Sequence, residues 1–415
     1  MNNINRIKNG GLAIISLLIF FTSCNKLNTE PTPLVIPGNP AGNTLAKVLA
    51  ATASDSLYNR LLIKSGIAAS TIADSTLRFT MFVPDNNAMK VFINGASGGA
   101  IPLNAPDAAF SAFISSTSPN YIPAATAANI VSYNIIPQSV TTASFPTAFP
   151  NLQYPTILNP APTLSALLRL TTFLSKRSNG TWVNNVPLLS ADAVATNGII
   201  HHTAAIVLPP SASLWGRINI DPDMTYFKAA ILRADSGTAV APSTVGTLQG
   251  ALDNIGANLT VFAPTDSSFR SILTGQITLA LIAQGVPPAN AQASAAALAA
   301  TSAVFSNPAL YSVLTPTNVK GIAVYHLLGT RAFTVNLPAS QANYPTLLNS
   351  AIPTHPGVGL QSTFTGPVVS AATVKGAANA TAANILLNPT PGTGSSDQNA
   401  TNGVLHKINQ VLLPQ

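Results

Sequence analysis

Short apolar runs that end at a proline alternate along the chain with stretches whose apolar residues recur at helical spacing. Residues 261–263 form one such run, and Pro264 ends it because proline cannot donate a hydrogen bond to a neighbouring strand. Behind it, Asp266 is a good helix N-cap residue, and the apolar positions of residues 269–273 fall on one helical face. The pattern predicts an α+β fold, with strand–helix units around a mainly antiparallel sheet.

The same segments occur twice, in the same order. TMFVPD at residues 80–85 returns as TVFAPT at residues 260–265, an offset of 180 (260 − 80). YPTILN at residues 154–159 returns as YPTLLN at residues 344–349, an offset of 190 (344 − 154), and NGIIH at residues 197–201 returns as NGVLH at residues 402–406, an offset of 205 (402 − 197). Matched segments with growing offsets indicate two copies of one domain with insertions in loops. We place the first copy at residues 44–210 and the second at residues 211–415.

Further local signals complete each copy. Asn86 takes the capping position that Asp266 holds in the second copy, and residues 129–136 and 319–328 have helical patterns that start behind Thr- and Pro-rich stretches. Asn-Gly at the start of each closing segment favours a turn with positive φ that leads into a buried strand, such as residues 404–406.

These motifs resemble those of a known family. VFAPTDSSF at residues 261–269 resembles the first signature of the fasciclin (FAS1) domain, and NGVLHKINQVLLP at residues 402–414 resembles its second. Tyr325-His326 resembles the central YH motif of the family, whereas the first copy has Tyr133-Asn134 there. The resemblance implies two tandem domains, each a β-sandwich or wedge flanked by helices. It also implies roles in cell adhesion and in the binding of proteins or glycans.

On this resemblance we expect Tyr325 and His326 to contribute to a binding face. The second copy retains the YH motif and the sharper signatures, so we expect it to carry recognition while the first copy positions it. The extracellular ligand is expected to be a protein or a glycan. Two other functions stay open: an accessory hydrolase or polysaccharide-processing protein on the same scaffold, and a structural spacer without a ligand.

The amino-terminal residues carry a targeting signal. Arg6 and Lys8 precede an apolar run at residues 12–21, which is too short to span a bilayer of about 30 Å. Thr22 and Ser23 follow the run and precede Cys24, the only cysteine of the chain, and FTSC resembles a bacterial lipobox whose cysteine is lipidated. An ordinary signal peptide with a chance cysteine is the alternative, but the cysteine stands where cleavage should fall. We therefore predict a lipoprotein signal peptide at residues 1–24 and a lipid anchor at Cys24.

Residues 25–43 are rich in proline, asparagine and glycine, and this composition predicts an extended tether. The predicted location is the cell envelope, with the protein anchored by lipid to the outer membrane on its surface or periplasmic face.

Composition narrows the class of partner. Hydrophobic residues make up 47% of the chain, but charged residues only 7%, against roughly 25% in an ordinary soluble protein. Ser, Thr, Asn and Gln must therefore provide most of the polar surface, which suits hydrogen bonding to glycans or proteins. The net charge is +7, yet the basic residues form no stripe interleaved with aromatic residues, so nucleic-acid binding is not expected.

Catalytic signals are weak. The histidines are His201, His202, His326, His355 and His406, and none of the twelve acidic residues clusters with them, so we expect no metal and no cofactor. His201 and His406 are equivalent in the repeat, which favours a shared structural hydrogen bond. A nucleophile elbow, in which G-x-S-x-G stands at a strand-to-helix turn, is not predicted, but a scattered Ser/His/Asp triad stays open because triads are recognised by geometry. We predict that the protein is not an enzyme.

An alanine-rich stretch at residues 289–303 strongly favours helix. It has three interpretations: a packed helix with an alanine face, an accessory helix that docks a partner, or a helix that touches a membrane. The absence of charge argues against the membrane, and ordinary packing is favoured.

Overall fold

A computed structural model describes residues 42–67, 71–74, 76–118, 121–237 and 246–415. Cys24, the predicted signal segment and nearly all of the predicted tether lie outside these ranges. Both predicted copies belong to a single compact unit, Ala41–Gln415.

The first copy is built from five helices and seven strands within the described residues. The helices are α1 (Leu45–Ala51), α2 (Ser56–Ser65), α3 (Asn86–Ala96), α4 (Asp107–Ser115) and α5 (Ala124–Tyr133). The strands are β1 (Phe79–Pro84), β2 (Ile135–Ile136), β3 (Gln153–Pro155), β4 (Thr171–Arg177), β5 (Gly180–Val183), β6 (Val186–Ala195) and β7 (Gly198–Thr203).

The second copy repeats this order of elements. Its helices are α6 (Leu214–Ile220), α7 (Thr225–Asp235), α8 (Leu248–Asp253), α9 (Asp266–Ala283), α10 (Pro288–Leu298) and α11 (Pro316–Tyr325). Its strands are β8 (Leu259–Pro264), β9 (Leu327–Leu328), β10 (Ala342–Tyr344), β11 (Val358–Thr365), β12 (Val368–Lys375), β13 (Ala383–Asn384), β14 (Gln398–Ala400) and β15 (Gly403–Ile408). The predicted α+β class is confirmed.

The sheets of the two copies differ in one respect. The first copy has a seven-stranded sheet in the order β2-β1-β7-β6-β5-β4-β3, whereas the second has two four-stranded sheets, β10-β11-β12-β13 and β14-β15-β8-β9. In the second copy β13 and β14 take the place of the long strand β6, with residues 385–397 between them. This insertion explains why the repeat offset grows from 190 to 205.

Within each copy, the signature strand and the closing strand pair in parallel. β1 pairs with β7 from Phe79↔Gly198 to Pro84↔Thr203, and β8 pairs with β15 from Leu259↔Gly403 to Ile408↔Pro264. The other named strand pairings are antiparallel, as the sequence predicted for most of the sheet. Because the register is the same in both copies, the duplication read from the sequence extends to the hydrogen-bond ladder.

The Asn-Gly sequence at the start of each closing strand does not form the predicted turn with positive φ. Gly198 and Gly403 are not among the residues with positive φ. Instead, a Cβ at Gly403 would lie 2.4 Å from the carbonyl oxygen of Leu259, and one at Gly198 would lie 2.2 Å from that of Phe79. Only a residue without a side chain allows the two strands to approach this closely.

The asparagine before each of these glycines holds the first helix of its copy. The Oδ1 atom of Asn197 accepts a hydrogen bond from the Leu45 amide at 2.8 Å, and that of Asn402 accepts one from Leu214 at 2.9 Å. Both asparagines are fully buried, and each donates its side-chain amide to further backbone carbonyls. The step therefore joins a helix start to the central ladder.

The predicted helix caps are displaced by one residue. Thr265 caps α9 by accepting from Ser268, and Asp85 caps α3 by accepting from Ala88. Asp266 and Asn86 cap a neighbouring helix instead. Asp266 accepts from the Tyr226 amide at 3.0 Å near the start of α7, and Asn86 accepts from the Leu57 amide at 3.0 Å near the start of α2. The predicted carboxylate and amide are thus capping groups, but on another helix.

Two predicted helices end earlier than expected. The helical pattern at residues 129–136 corresponds to α5, which ends at Tyr133, and the pattern at residues 319–328 corresponds to α11, which ends at Tyr325. The apolar residues that follow form the short strands β2 and β9, which pair with the signature strands. Short apolar runs fit both helix and strand, so periodicity alone placed these ends too late.

Each copy buries one apolar cluster among its helices and another along its sheet. The alanine-rich stretch contributes to the helical cluster of the second copy. Ala291, Ala295 and Ala299, spaced four residues apart, are fully buried. This placement agrees with the packing interpretation of that stretch.

The two copies also share a small apolar cluster, which we call the junction core. It consists of Phe173 and Trp182 from the first copy and Phe333, Val335 and Val404 from the second. Polar contacts surround it: the Asn336 amide donates to Ser175 at 2.8 Å, and the Asn399 amide donates to the Tyr133 hydroxyl at 3.0 Å. The copies are therefore packed against each other, while the predicted boundary between residues 210 and 211 stays a prediction.

The junction between the copies also includes a buried cation. Arg331 is 2% exposed, and no carboxylate contacts it within the described residues. Its partners are the side-chain oxygens of Asn258 at 3.1 Å and Asn399 at 2.9 Å, with the Phe173 ring 4.9 Å away. Burial lowers the pKa of Arg331 to about 10, so it remains charged at neutral pH. A buried charge is costly unless it is well coordinated, so the two asparagine side chains of the second copy stabilise the guanidinium where it faces the Phe173 ring of the first.

We expect Gly403→Ala to destabilise the protein, because the new methyl group would collide with the Leu259 carbonyl and with Leu214. Overpacking of this kind costs about 1–3 kcal/mol. Gly275→Ala is the matched control, since Gly275 lies within α9 and a Cβ there would have no neighbouring atom within 4 Å, so it should be neutral or mildly stabilising. Urea unfolding of both variants measures the difference, and equal stabilities would contradict the close-approach argument.

Candidate functional site

Tyr325 of the predicted binding pair lies inside the second copy. Its side chain is fully buried between α11 and the sheet. The hydroxyl donates to the Gly357 carbonyl at 2.6 Å and accepts from the Ala377 amide at 2.8 Å. Burial is the main cause of a raised pKa for this phenol. Tyr325 thus connects the end of its helix to two loops of the sheet.

His326 is also fully buried, at 0% exposure. Its Nδ1 lies 2.8 Å from the Ile322 carbonyl, and its Nε2 accepts from the Leu412 amide at 2.9 Å. Burial lowers the pKa of the imidazole to about 4, so the ring is neutral at pH 7. In this conformation neither member of the Tyr325-His326 pair can touch a ligand. The expectation that Tyr325 and His326 contribute to a binding face is corrected accordingly, because both residues are buried and their side-chain polar atoms bond within the core.

Asn134 occupies the position of His326 in the first copy and makes equivalent contacts with a different side chain. Its amide nitrogen donates to the Ile130 carbonyl and to the Val207 carbonyl, both at 2.8 Å. These are the repeat equivalents of the two residues that His326 contacts. The Asn134 oxygen is buried without a hydrogen-bond partner. Both copies thus tie the end of the same helix to the closing segment.

His201 and His406 form the shared structural hydrogen bond that their repeat positions predicted. The Nδ1 atoms accept from the amides of Asp192 and Asp397, both at 3.1 Å. The Nε2 atoms lie 2.9 Å from the Val140 carbonyl and 2.8 Å from the Ala332 carbonyl. Burial lowers the pKa of both rings.

A Ser–His–Asp arrangement does assemble in the first copy. His202 Nε2 lies 3.1 Å from Asp55 Oδ2, and His202 Nδ1 lies 3.0 Å from Ser190 Oγ. The Asp55 side chain is 1% exposed and that of His202 21% exposed. The hydrogen bond that Asp55 accepts from His202 raises the pKa of His202, so this ring gains positive charge more readily than an isolated histidine. Sequence separation concealed the arrangement, since Asp55 and His202 are 147 residues apart.

Two further properties of the described residues bear on function. No group of three or more His, Cys, Asp or Glu side chains in that part of the chain is placed to hold a metal ion. No helix among the same residues is long and apolar enough to cross a membrane. Cys24 and its predicted lipidation lie outside the described residues.

A groove of about 680 Å³ opens between the two copies beside the junction core. We call it the junction groove. It is lined by Thr147, Ala148, Phe149, Lys176, Arg177, Ser178, Asn179, Leu337, Pro338, Ala339, Tyr344 and Phe364. The first seven residues belong to the first copy and the last five to the second, so neither copy forms the groove alone. Its size lies within the range of roughly 300–1,000 Å³ that is typical of small-molecule sites.

The groove has two basic side chains and no acidic one among its lining residues. Arg177 is held by the Pro146 and Asn336 carbonyls, both at 3.0 Å, and by the Asn151 side chain at 2.9 Å. Burial lowers the pKa of Arg177 somewhat. Lys176 is exposed, and its ammonium group makes no hydrogen bond or ion pair within the described residues. The groove therefore presents two basic groups that make no ion pair within the described residues.

Aromatic rings form the other feature of the groove. Phe149 and Tyr344 meet edge to face, with ring centroids 4.8 Å apart. Phe364 lies 6.3 Å from the Trp182 ring of the junction core. Phe149, Tyr344 and Phe364 are all partly exposed. Sequence reasoning missed this site because its walls come from segments without a shared motif. The adjacent basic pair Lys176-Arg177 was the one available signal.

The first copy matches a known family. The family model described as the Fasciclin domain matches residues 56–209, which lie inside that copy. No curated protein matches the chain. Among solved structures, the chain is similar to a FAS1 domain pair from the insect cell adhesion molecule Fasciclin I. The identity is 14% and the TM-score is 0.31, with 86% of this chain and 96% of that chain covered.

Replacing His326 separates a core role from a ligand contact. His326→Ala leaves the Leu412 amide without its partner, which should cost about 1–3 kcal/mol. His326→Asn should cost less, because Asn134 shows that an amide fits the equivalent position. Denaturant unfolding together with a binding assay measures both effects. Lost binding at unchanged stability in His326→Ala would instead indicate a ligand contact.

The same histidine predicts a dependence of stability on pH. The pKa of His326 is about 4 in the folded state, below the ordinary value of 6.5. Between these two pH values the imidazole is protonated in the unfolded chain but neutral in the folded chain. The contribution of neutral His326 to the free energy of unfolding is complete above pH 6.5 and is lost as the pH falls toward 4. Between pH 7 and pH 5 the loss should be about 2 kcal/mol for this group, at 1.36 kcal/mol per pKa unit.

Comparison of wild type with His326→Asn isolates the part of the pH-dependent stability loss that comes from His326. The difference in unfolding free energy between wild type and His326→Asn should shrink by this amount over the same interval. A constant difference would show that His326 does not titrate as its burial requires.

Proposed function

We propose that this protein is a lipid-anchored binding module of the cell envelope, which attaches to an extracellular protein or glycan without chemically changing it. The junction groove is the observation that carries the proposal. It combines partly exposed aromatic rings with unpaired positive charge in a chain of which only 7% is charged. The match of residues 56–209 to the fasciclin domain fits a binding or adhesion module.

The groove replaces the predicted YH region as the proposed recognition site. Tyr325 and His326 stabilise the second copy from within, whereas Tyr344 and Phe364 of that copy reach the groove. The first copy supplies the facing wall, including Phe149 and Lys176. In this proposal recognition is shared between the copies, and the expected division of labour between them is modified accordingly.

The lipid anchor at Cys24 and the tether at residues 25–43 complete the proposal. A single acyl chain holds a protein to a membrane only marginally, and stable anchoring needs a second hydrophobic attachment. A lipobox cysteine with several acyl chains satisfies this condition. The extended tether would give the folded part reach above the lipid headgroups.

A hydrolase is the second candidate, and the Ser190–His202–Asp55 arrangement is the observation that favours it. The distances suit a proton relay, because the buried carboxylate orients the imidazole and the imidazole contacts an exposed hydroxyl. Ser190 and His202, however, do not line the junction groove. A catalytic role would therefore need a substrate bound at another surface.

A panel of immobilised glycans and extracellular peptides distinguishes the two candidates. The binding module is supported if the full chain is retained on a panel member that stays chemically intact. Turnover of a panel member by wild type but not by Ser190→Ala would favour the hydrolase. Absence of both retention and turnover would contradict both candidates and leave a spacer. Protease treatment of intact cells shows whether the protein is accessible on the outside of the cell.

Replacing Cys24 tests the anchor. We expect Cys24→Ala to move the protein from the membrane fraction to a periplasmic or culture fraction, since the acyl chains supply the attachment. Cell fractionation with immunoblotting provides the measurement, and Ser23→Ala is a matched control that keeps the thiol. Mutant protein that remains with membranes as wild type does would count against a lipid anchor at this residue.

A further inference from the structure

We infer that the junction groove binds an acidic saccharide, with a sugar face against its aromatic rings and a carboxylate or sulfate beside Lys176. This inference rests on the proposed binding function and names the class of ligand. Four observations support it: a free cation, a second cation fixed without a carboxylate, partly exposed rings, and a cluster of hydroxyl and amide side chains.

Lys176 is the free cation. It lies near the end of β4, it is exposed, and it has no ion-pair partner among the described residues. Asp192 is close enough for Lys176 to contribute to the lowering of its pKa. The Asp192 carboxylate makes no ion pair with Lys176 and accepts instead from the Thr142 amide at 2.9 Å and from the Thr142 hydroxyl. The ammonium group is therefore available to an anion from outside.

Arg177 adds positive potential that the protein does not neutralise. Its guanidinium donates to neutral oxygens of Pro146, Asn151 and Asn336, and no carboxylate of the described residues contacts it. The Asn151 oxygen accepts from this guanidinium, while the Asn151 side-chain nitrogen is buried without a partner. Partly desolvated charges interact more strongly than charges in bulk water, so an anion in the groove would be attracted to both basic groups.

The aromatic rings favour a saccharide. The face of an aromatic ring carries negative charge and attracts weakly positive C–H groups, which cover the flat faces of sugar rings. Phe149, Tyr344 and Phe364 supply such rings from both walls. Tyr344 is partly exposed and lies close enough to Arg177 to interact with it electrostatically, so its hydroxyl can pair with a sugar hydroxyl in the groove.

Neutral polar side chains complete the match. Thr147, Ser178 and Asn179 line the groove and offer hydroxyl and amide groups. Asn179 also links the walls, because its amide donates to the Gly366 carbonyl at 3.0 Å. Hydroxyl-rich ligands need several such donors and acceptors around an apolar platform. An acidic peptide shares the negative charge of the proposed ligand but not its many hydroxyls, so it serves as the competing ligand in the test.

The test uses the full chain and measures binding by calorimetry. The probes are an oligogalacturonate, its neutral methyl ester, and an oligoglutamate of equal charge. We expect the oligogalacturonate to bind about ten-fold more tightly than its methyl ester, and high salt to remove much of this advantage. Lys176→Gln should lose about ten-fold in affinity for the oligogalacturonate.

Two further variants sharpen the result. Lys47→Gln is the matched control, since Lys47 is an exposed lysine of α1 outside the groove, and it should bind as wild type does. Tyr344→Leu removes an aromatic ring without changing charge and should weaken both the oligogalacturonate and its ester. Melting curves of each variant establish that it is folded.

Several outcomes would overturn the inference. Equal binding of ester and acid would remove the role of the anion, and wild-type affinity in Lys176→Gln would place the contact elsewhere. Equal affinity for oligoglutamate would identify an acidic peptide as the ligand class. If the panel retains the protein while these probes do not bind, the binding function stands and only the acidic saccharide is wrong. If the panel retains nothing, the binding function itself fails.

Discussion

The parallel pairing of the signature strand with the closing strand is the constraint on which each copy depends. It joins segments more than a hundred residues apart, and its strands lie almost wholly in the core. Asn197 and Asn402 attach the first helix of each copy to this ladder, and the adjoining glycines allow the close approach. The equivalent histidines His201 and His406 connect the ladder of each copy to the neighbouring loops. Local motifs that look independent in the sequence are therefore parts of one connected structure.

The repeat made much of the fold predictable. Equivalent motifs gave the two copies, the strand that ends at Pro264 and the common role of His201 and His406. Details that depend on tertiary contacts were not accessible. The Asn-Gly step fits a tight turn in isolation, and only the opposing carbonyl reveals why the glycine is needed. Likewise, Asp266 has the right chemistry for a cap, but its distance from Tyr226 in sequence conceals which helix it caps.

The candidate site was less predictable for a physical reason. A motif such as Tyr325-His326 attracts attention because its side chains are specific, yet the same specificity serves packing and hydrogen bonding in a core. The junction groove comes from segments of both copies that have no common pattern. Its residues are ordinary individually, and their combination depends on how the copies pack. Lys176 acquires its importance from the absence of a nearby free carboxylate among the described residues, which a sequence cannot display.

The parallel ladder also has a mechanical consequence. In each copy the chain enters the ladder before the amino end of the signature strand and leaves beyond the carboxyl end of the closing strand. Because the two strands run in the same direction, tension between the ends of a copy pulls them past each other along their length. The load is then shared by the whole set of interstrand hydrogen bonds at once and does not open them one at a time. Resistance to forced unfolding is governed by the rate of such rupture. A copy built in this way is suited to holding under tension as well as to folding.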